Sequence, residues 1–111
     1  MLVAAEGCCA IGPRYAEEAR RQAAETTDEK RKNELLKIAE VCDRVPAKPA
    51  RNFWEAVQSM WMYHELYFME QGAAAYSIGR ADQFLYPYYK ADIDAGRITP
   101  DEAQELLDCC W

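Results

Sequence analysis

The side chains best suited to chemistry in this sequence are five cysteines and one histidine. Cys8 and Cys9 form one adjacent pair, Cys109 and Cys110 form a second, and no two cysteines follow a Cys-x-x-Cys spacing. Structural zinc sites use closely spaced sets of such ligands, and an odd number of thiols leaves a disulfide framework incomplete. The sequence therefore predicts no metal site and a reducing, cytoplasmic environment.

The histidine, His64, lies in a long aromatic stretch, one turn after Met60 and Trp61. We interpret it as a buried side chain that bonds to a backbone or carboxylate group. Glu65 cannot assist it, because adjacent residues project in different directions from a helix. No His-Glu-x-x-His, Gly-x-Ser-x-Gly, Walker or dinucleotide-binding pattern is present. We predict no catalytic residue in this chain.

The composition is typical of a folded protein with an acidic surface. Half of the 111 residues are apolar, and the formal net charge is −6. This charge argues against nucleic acid or an anionic membrane as the main partner. No apolar run reaches the roughly 18 residues that span a bilayer, and the first residues lack the basic flank of a secretory signal.

Residues 1–50 are predicted to form N-terminal helices. The first covers residues 2–25, where Gly12-Pro13 predicts a kink or two shorter helices. Thr26 and Glu29 match a capping box that begins a second helix. The apolar stripe of this second helix consists of Leu35, Ile38, Ala39 and Cys42.

Residues 51–72 are predicted to form an aromatic helix that Asn52 caps and Gly72 ends. Its apolar side chains point in almost every direction around the axis. Such a helix must be covered on most sides, and a few short helices cannot cover it. We therefore expect the isolated chain to expose a large apolar surface.

Residues 73–80 are predicted to form a short strand and a corner, and residues 81–111 to form C-terminal helices. The alanines of this stretch favour a helix, whereas Tyr76 and Ile78 between glycines make an extended strand as plausible. Thr99 begins the last helix with a capping box and a proline at the first helical position. Its apolar stripe runs to Trp111 without a stop signal, which predicts an internal piece of a longer protein.

The most specific motif is Tyr76-Ser-Ile-Gly-Arg-Ala-Asp-Gln-Phe-Leu-Tyr-Pro-Tyr-Tyr89. It resembles the Ser-x-Gly-Arg-x-Asp-Gln-x-x-Tyr-Pro-Tyr-Tyr segment of the dehydratase and decarboxylase branches of the glycyl radical enzymes, the pyruvate formate-lyase-like superfamily. The resemblance covers nearly the whole chain and implies an internal fragment. The fold class it implies is mainly α: helices and one short strand from a ten-stranded α/β barrel.

This resemblance also implies a function, which is the cleavage of C–C, C–O or C–N bonds of a small organic substrate by a thiyl radical. An activating enzyme with S-adenosylmethionine and an iron–sulfur cluster would install a glycyl radical in the parent enzyme, a homodimer. Neither cysteine pair fits the family's reactive loops, since Ala10 stands where Gly7-Cys8 would require a glutamate. The glycyl radical loop is also absent, so the chain alone is expected to be inactive and to bind no cofactor.

Within the motif, four residues are predicted to form a structural corner. Gly79 relaxes the backbone, Asp82 caps the following helix, and Arg80 pairs with a nearby carboxylate, with Gln83 beside them.

We interpret the cysteines of both adjacent pairs as small, buried apolar side chains.

The resemblance implies that Ala74, Ala75 and Ser77 contact substrate. In the glycerol dehydratase branch the matching run is similar to Glu-Ser-Asn-Gly-His-Ser-x-Ser-x-Gly-Arg, and the two alanines here replace its His-Ser pair. Alanine side chains cannot hydrogen-bond the hydroxyls of a diol. An apolar pocket for an aryl or alkyl substrate, such as an arylacetate undergoing decarboxylation, is therefore favoured.

Two other functions remain open from sequence alone. The chain could be a non-enzymatic helical interaction module whose aromatic helix inserts into a partner. It could also be a redox sensor that uses its cysteine pairs, which would require thiols of low pKa.

Overall fold

The computed structural model describes residues 2–72 and 77–110. These residues form five α-helices, namely α1 (Leu2–Glu25), α2 (Glu29–Arg44), α3 (Phe53–Gln71), α4 (Ala81–Asp94) and α5 (Pro100–Asp108). They group into two compact units, Met1–Pro49 and Ala50–Trp111. The mainly α prediction is confirmed.

The first unit is an antiparallel hairpin of α1 and α2. Helix α1 runs without interruption through Pro13, so the prediction of two shorter helices is wrong. The helices lie close together at Gly12, where an added Cβ would lie 2.5 Å from the carbonyl oxygen of Cys42 and 2.6 Å from that of Val45. This contact explains why glycine occupies a helix interior, where it otherwise disfavours folding. The hairpin buries Ala16, Ala19, Ala23, Leu35, Ala39, Val41, Cys42 and Val45.

The N-terminus of α2 differs from the predicted capping box. Asp28 is the N-cap, and its carboxylate accepts a hydrogen bond from the Lys30 amide at 3.0 Å. The Thr26 hydroxyl instead donates to the Gln22 carbonyl at the end of α1. Both residues suit a helix cap, and aspartate adds a favourable charge near the helix dipole.

The second unit is organised around the N-terminus of α3. The Asn52 side chain accepts from the Glu55 amide at 2.9 Å, as predicted for its cap. The Phe53 amide donates at 2.7 Å to the buried carboxylate of Asp92 on α4. Asp92 also accepts from Arg97 Nε at 2.9 Å, so its charge is balanced. The first turn of α3 is thus fixed to the C-terminal end of α4, where Asp92 lies.

Helices α3, α4 and α5 share a small apolar core. Phe53, Ala56 and Val57 of α3 pack with Leu85 of α4 and Ala103 of α5. The rings of Phe53 and Tyr89 meet edge to face at 5.7 Å, a favourable aromatic geometry. The predicted capping box at Thr99 is confirmed, with hydrogen bonds in both directions between Thr99 and Glu102.

The short strand predicted over residues 73–78 is not confirmed where the structure describes it. Residues 73–76 lie outside the described part, and Ser77 and Ile78 have neither helical nor strand geometry. A strand is stabilised by the ladder to a neighbouring strand, and the described residues supply none.

The second half of α3 is the main exposed apolar surface of the described chain, as the sequence predicted. Tyr63 is 59% exposed, Phe68 50% and Met69 61%, whereas Met62 is fully buried. Trp54 and Trp61 are half-buried, and Trp111 lies outside the described residues. Among the residues described, no helix combines the length and apolar character needed to cross a membrane.

Candidate functional site

The candidate site is the corner between α3 and α4. Helix α3 ends at Gln71, and Gly72, with φ +57°, is the left-handed C-cap that the sequence predicted. Residues 77–80 then lead into α4. Of the three predicted substrate contacts, Ala74 and Ala75 lie outside the described residues, and Ser77 is exposed.

Ser77 and Gly79 shape the corner. The Ser77 Oγ accepts a hydrogen bond from the Gly79 amide at 3.2 Å. Gly79 has φ +81°, a region that side chains with a Cβ rarely adopt. Among the residues that the structure describes, no atom lies within 4 Å of a Cβ added there, and the positive φ is the reason for the glycine.

The start of α4 differs from the prediction in the residue that caps it, among Arg80, Asp82 and Gln83. The N-cap of α4 is Arg80, without a side-chain capping bond, so the prediction that Asp82 caps this helix is wrong. Asp82 lies in the first turn, where its charge still favours the helix dipole. The Gln83 amide donates to the Arg80 carbonyl at 2.9 Å.

The side chains of this corner face outward. Arg80, Asp82 and Gln83 are all exposed, and within ranges 2–72 and 77–110 the structure records no carboxylate bound to Arg80. These groups can accept a partner at the surface, but they do not enclose a reaction volume.

A feature that the sequence analysis missed lies beside this corner. An open groove of about 570 Å³ is bordered by α4 and α5, with Phe53 at its base. Its walls are largely apolar, with Asp82 and Gln104 as polar groups. The lining residues are Phe53, Ala81, Asp82, Leu85, Tyr86, Tyr89, Pro100, Ala103, Gln104 and Leu107. The spacing of Pro100, Ala103, Gln104 and Leu107 on one helical face was the signal for it.

Two of the thiols have a raised pKa. Burial raises the pKa of Cys42 to about 11, with a smaller contribution from the charge of Asp43. Burial, followed by the neighbouring Cys109, also raises the pKa of Cys110. A raised pKa suppresses the reactive thiolate, so Cys110 lacks the low-pKa thiol that the redox-sensor alternative requires, while Cys42 belongs to neither cysteine pair.

The prediction that both cysteine pairs are buried is wrong in part. Cys109 is exposed, and Cys8, Cys9 and Cys110 are half-buried. Cys109 is the C-cap residue of α5, and the following Cys110 packs against the core of the second unit. His64 is half-buried on α3, and its Nδ1 is enclosed by protein.

The family of this chain is established by a family model that matches its whole length. The model of the family described as pyruvate formate lyase-like matches residues 1–111. The chain belongs to this family. The resemblance carried by the Ser77 to Tyr89 motif is thereby confirmed.

Two curated relatives of this pyruvate formate lyase-like chain are enzymes of different chemistry. An isethionate sulfite-lyase of Desulfovibrio desulfuricans is 48% identical over 99 residues, which are 88% of this chain and 12% of the relative. An indoleacetate decarboxylase of Tractidigestivibacter scatoligenes is 46% identical over 107 residues, covering 96% of this chain and 12% of the relative. The chain thus spans about one eighth of the length of these relatives.

A solved structure confirms the likeness in three dimensions. The structure concerned with 1,2-propanediol dehydration in Roseburia inulinivorans aligns with a TM-score of 0.93 and 42% identity. The alignment covers 96% of this chain and 13% of that one. The helical arrangement described here therefore matches one portion of a much longer enzyme.

Proposed function

We propose that this chain is a helical part of a glycyl radical enzyme that cleaves a bond in a small organic substrate. The whole-length family match carries the proposal. The exposed apolar half of α3 supports it, because a surface of this kind is stable in water only when another body of protein covers it. Residues 1–111 would then be a partial pyruvate formate-lyase-like domain.

The proposed reaction begins with a cysteine thiyl radical that removes a hydrogen atom from the substrate. The thiol S–H bond forms as the substrate C–H bond breaks, and the substrate radical then loses its leaving group. The product radical takes the hydrogen atom back from the thiol, which restores the thiyl radical. The reactive cysteine and the glycine that stores the radical would lie in other parts of the parent enzyme, and a separate activating enzyme would generate the radical.

The proposed substrate class includes C–S bonds as well as the C–C, C–O and C–N bonds considered from sequence. The reason is that one relative is a sulfite-lyase. The relatives do not separate these classes, since the sulfite-lyase and the decarboxylase are 48% and 46% identical. Ala74 and Ala75 favour an aryl or alkyl substrate, because neither side chain can bind a substrate hydroxyl.

The test is to express the full reading frame that contains this chain, together with its activating enzyme, without oxygen. Electron paramagnetic resonance should show a glycyl radical doublet, and an arylacetate, isethionate and 1,2-propanediol should then be compared as substrates. Absence of the doublet in a correctly loaded system would refute the proposed class. The 111-residue chain, treated identically, should form no radical and turn over nothing.

The substrate preference has a separate test in the same enzyme. Ala74→His with Ala75→Ser would restore hydrogen-bonding side chains at the two positions. We expect the ratio of kcat/KM for 1,2-propanediol to that for an arylacetate to rise. An unchanged ratio would show that these positions do not face the substrate.

A further inference from the structure

The groove beside the corner is formed within one unit and is open to solvent. Leu85 and Tyr89 of α4 form one wall, and Ala103 and Leu107 of α5 form the other. Tyr86, at its rim, is 57% exposed. Small-molecule sites of similar volume enclose most of their ligand, whereas an open apolar groove suits a segment of polypeptide.

The rim of this groove is acidic. Asp82 lines it. Asp101 and Asp108 are not lining residues, but they lie three residues before and four residues after Gln104, which places them on the same face of α5 as that lining residue. From Ile98 to Trp111 the sequence contains four acids and no lysine or arginine. In the described residues neither Asp82 nor Asp101 is paired with a base, and Asp108 accepts only the Gln104 amide at 2.7 Å.

The acidic character is confined to one unit. Residues 50–111 contain ten acids and four bases, whereas residues 1–49 contain nine of each. Three of the four bases of the second unit are already bound within it, since Arg51 pairs with Glu55, Lys90 with Asp94 and Arg97 with Asp92. The fourth base, Arg80, is exposed and forms no ion pair with a described carboxylate, so the acids of the groove rim are without an ion pair in the described part of the unit.

We propose that this groove is the docking seat for a basic, amphipathic segment from the remainder of the parent enzyme's own chain. Apolar side chains of that segment fill the space over Phe53 and Leu107, and a lysine or arginine faces Asp82 and Asp101. This inference depends on the proposed function for the existence of the longer chain. The relatives are about eight times longer than this chain, so ample polypeptide is available.

An occupant from the same chain fits better than a separate protein. An apolar groove needs permanent cover, because its exposure promotes association. A tethered segment docks at a high effective concentration and avoids much of the entropy lost when two molecules associate. A second copy of the chain would carry the same acidic rim to this surface and would be repelled by it.

The test uses the purified full-length enzyme with Gln104→Cys, in a background where the exposed Cys109 is replaced by serine. The control is Glu105→Cys, one residue further along α5 and outside the groove lining. We expect maleimide to label position 104 at least about tenfold more slowly than position 105, and about tenfold more slowly than in denatured enzyme. Equal labelling of positions 104 and 105 would overturn the proposal.

Two further arms identify the occupant. Protection that is unchanged by dilution supports a segment of the same chain, whereas protection that is lost on dilution, or that needs an added protein, overturns it. Adding Asp82→Lys and Asp101→Lys should speed labelling at position 104, while Glu65→Lys on α3 should not. If Asp82→Lys and Asp101→Lys together leave the labelling rate at position 104 unchanged, the proposed lysine or arginine opposite these two acids is refuted.

These outcomes are independent of the radical assay. An enzyme with a glycyl radical and a freely labelled groove would retain the proposed function and lose the docking inference. A protected groove in a protein without a radical would give the opposite result.

Discussion

Replacement of Gly12 by alanine tests the packing of the α1–α2 hairpin most directly. The new Cβ would lie 2.5 Å from the Cys42 carbonyl oxygen and 2.6 Å from the Val45 carbonyl oxygen. Both atoms belong to the backbone, so no side-chain rotation can relieve the overlap, and the two helices must move apart. Gly7, in the same helix, has no atom of the described part of the chain within 4 Å of an added Cβ and provides a matched control.

The two substitutions share one energy contribution and differ in another. Alanine favours a helix interior over glycine by ~0.8–1 kcal/mol, so Gly7→Ala should stabilise the hairpin by up to that amount. Gly12→Ala gains the same contribution and adds an overpacking cost of ~1–3 kcal/mol. The difference between the two variants should therefore be about 1–3 kcal/mol, with Gly12→Ala the less stable.

The assay is urea unfolding followed by circular dichroism at 222 nm, with wild type and both variants measured at equal concentration. An apolar-dye measurement at each concentration would control for association through α3. If Gly12→Ala proves as stable as Gly7→Ala, the close approach of the helices at Gly12 is not what excludes a side chain, and the reasoning fails.

Three further predictions concern single side chains. Asp92→Asn should lower the free energy of unfolding by about 1–2 kcal/mol, because a buried charge-assisted hydrogen bond becomes a neutral one; exposed Asp94→Asn should change it by under about 0.5 kcal/mol in the same urea titration. Thr99→Ala should cost about 1 kcal/mol through loss of the capping box, and an unchanged unfolding midpoint would contradict that. For Cys42 the pKa in the folded chain, about 11, lies above the ordinary thiol value of 9.0. The contribution of this thiol to the free energy of unfolding is therefore complete below about pH 9 and is lost as the pH rises towards 11. Stability of wild type should thus fall more steeply over that range than stability of Cys42→Ala, and parallel profiles would refute this.

Local signals in the sequence were sufficient to predict most helix boundaries. Asn52, Gly72 and Thr99 each act through the backbone within four residues of their own position, so neighbouring sequence contains the necessary information. The same holds for the exposed half of α3, because too few other helices were available to cover it. Family membership followed from a motif of unusual specificity.

Features that depend on distant residues could not be predicted in this way. The role of Asp92 in fixing the Phe53 amide joins positions 39 residues apart, and nothing local to either residue indicates the pairing. Pro13 was expected to interrupt α1, but packing of the helix along α2 outweighs the lost hydrogen bond. The groove was missed because it depends on how α4 and α5 are placed, and the apolar stripe of α5 alone does not show which of its residues α4 leaves uncovered.

The uneven anchoring of α3 has a consequence for how the second unit opens. Its first turn is fixed by Asn52 and Asp92, while many side chains from Tyr63 onwards face solvent. Fraying should therefore begin at the Gln71 end and travel backwards, so that amide deuteration is fast near Met69 and slowest near Val57. A protease acting on the isolated polypeptide would find its first susceptible bonds at that loosened end.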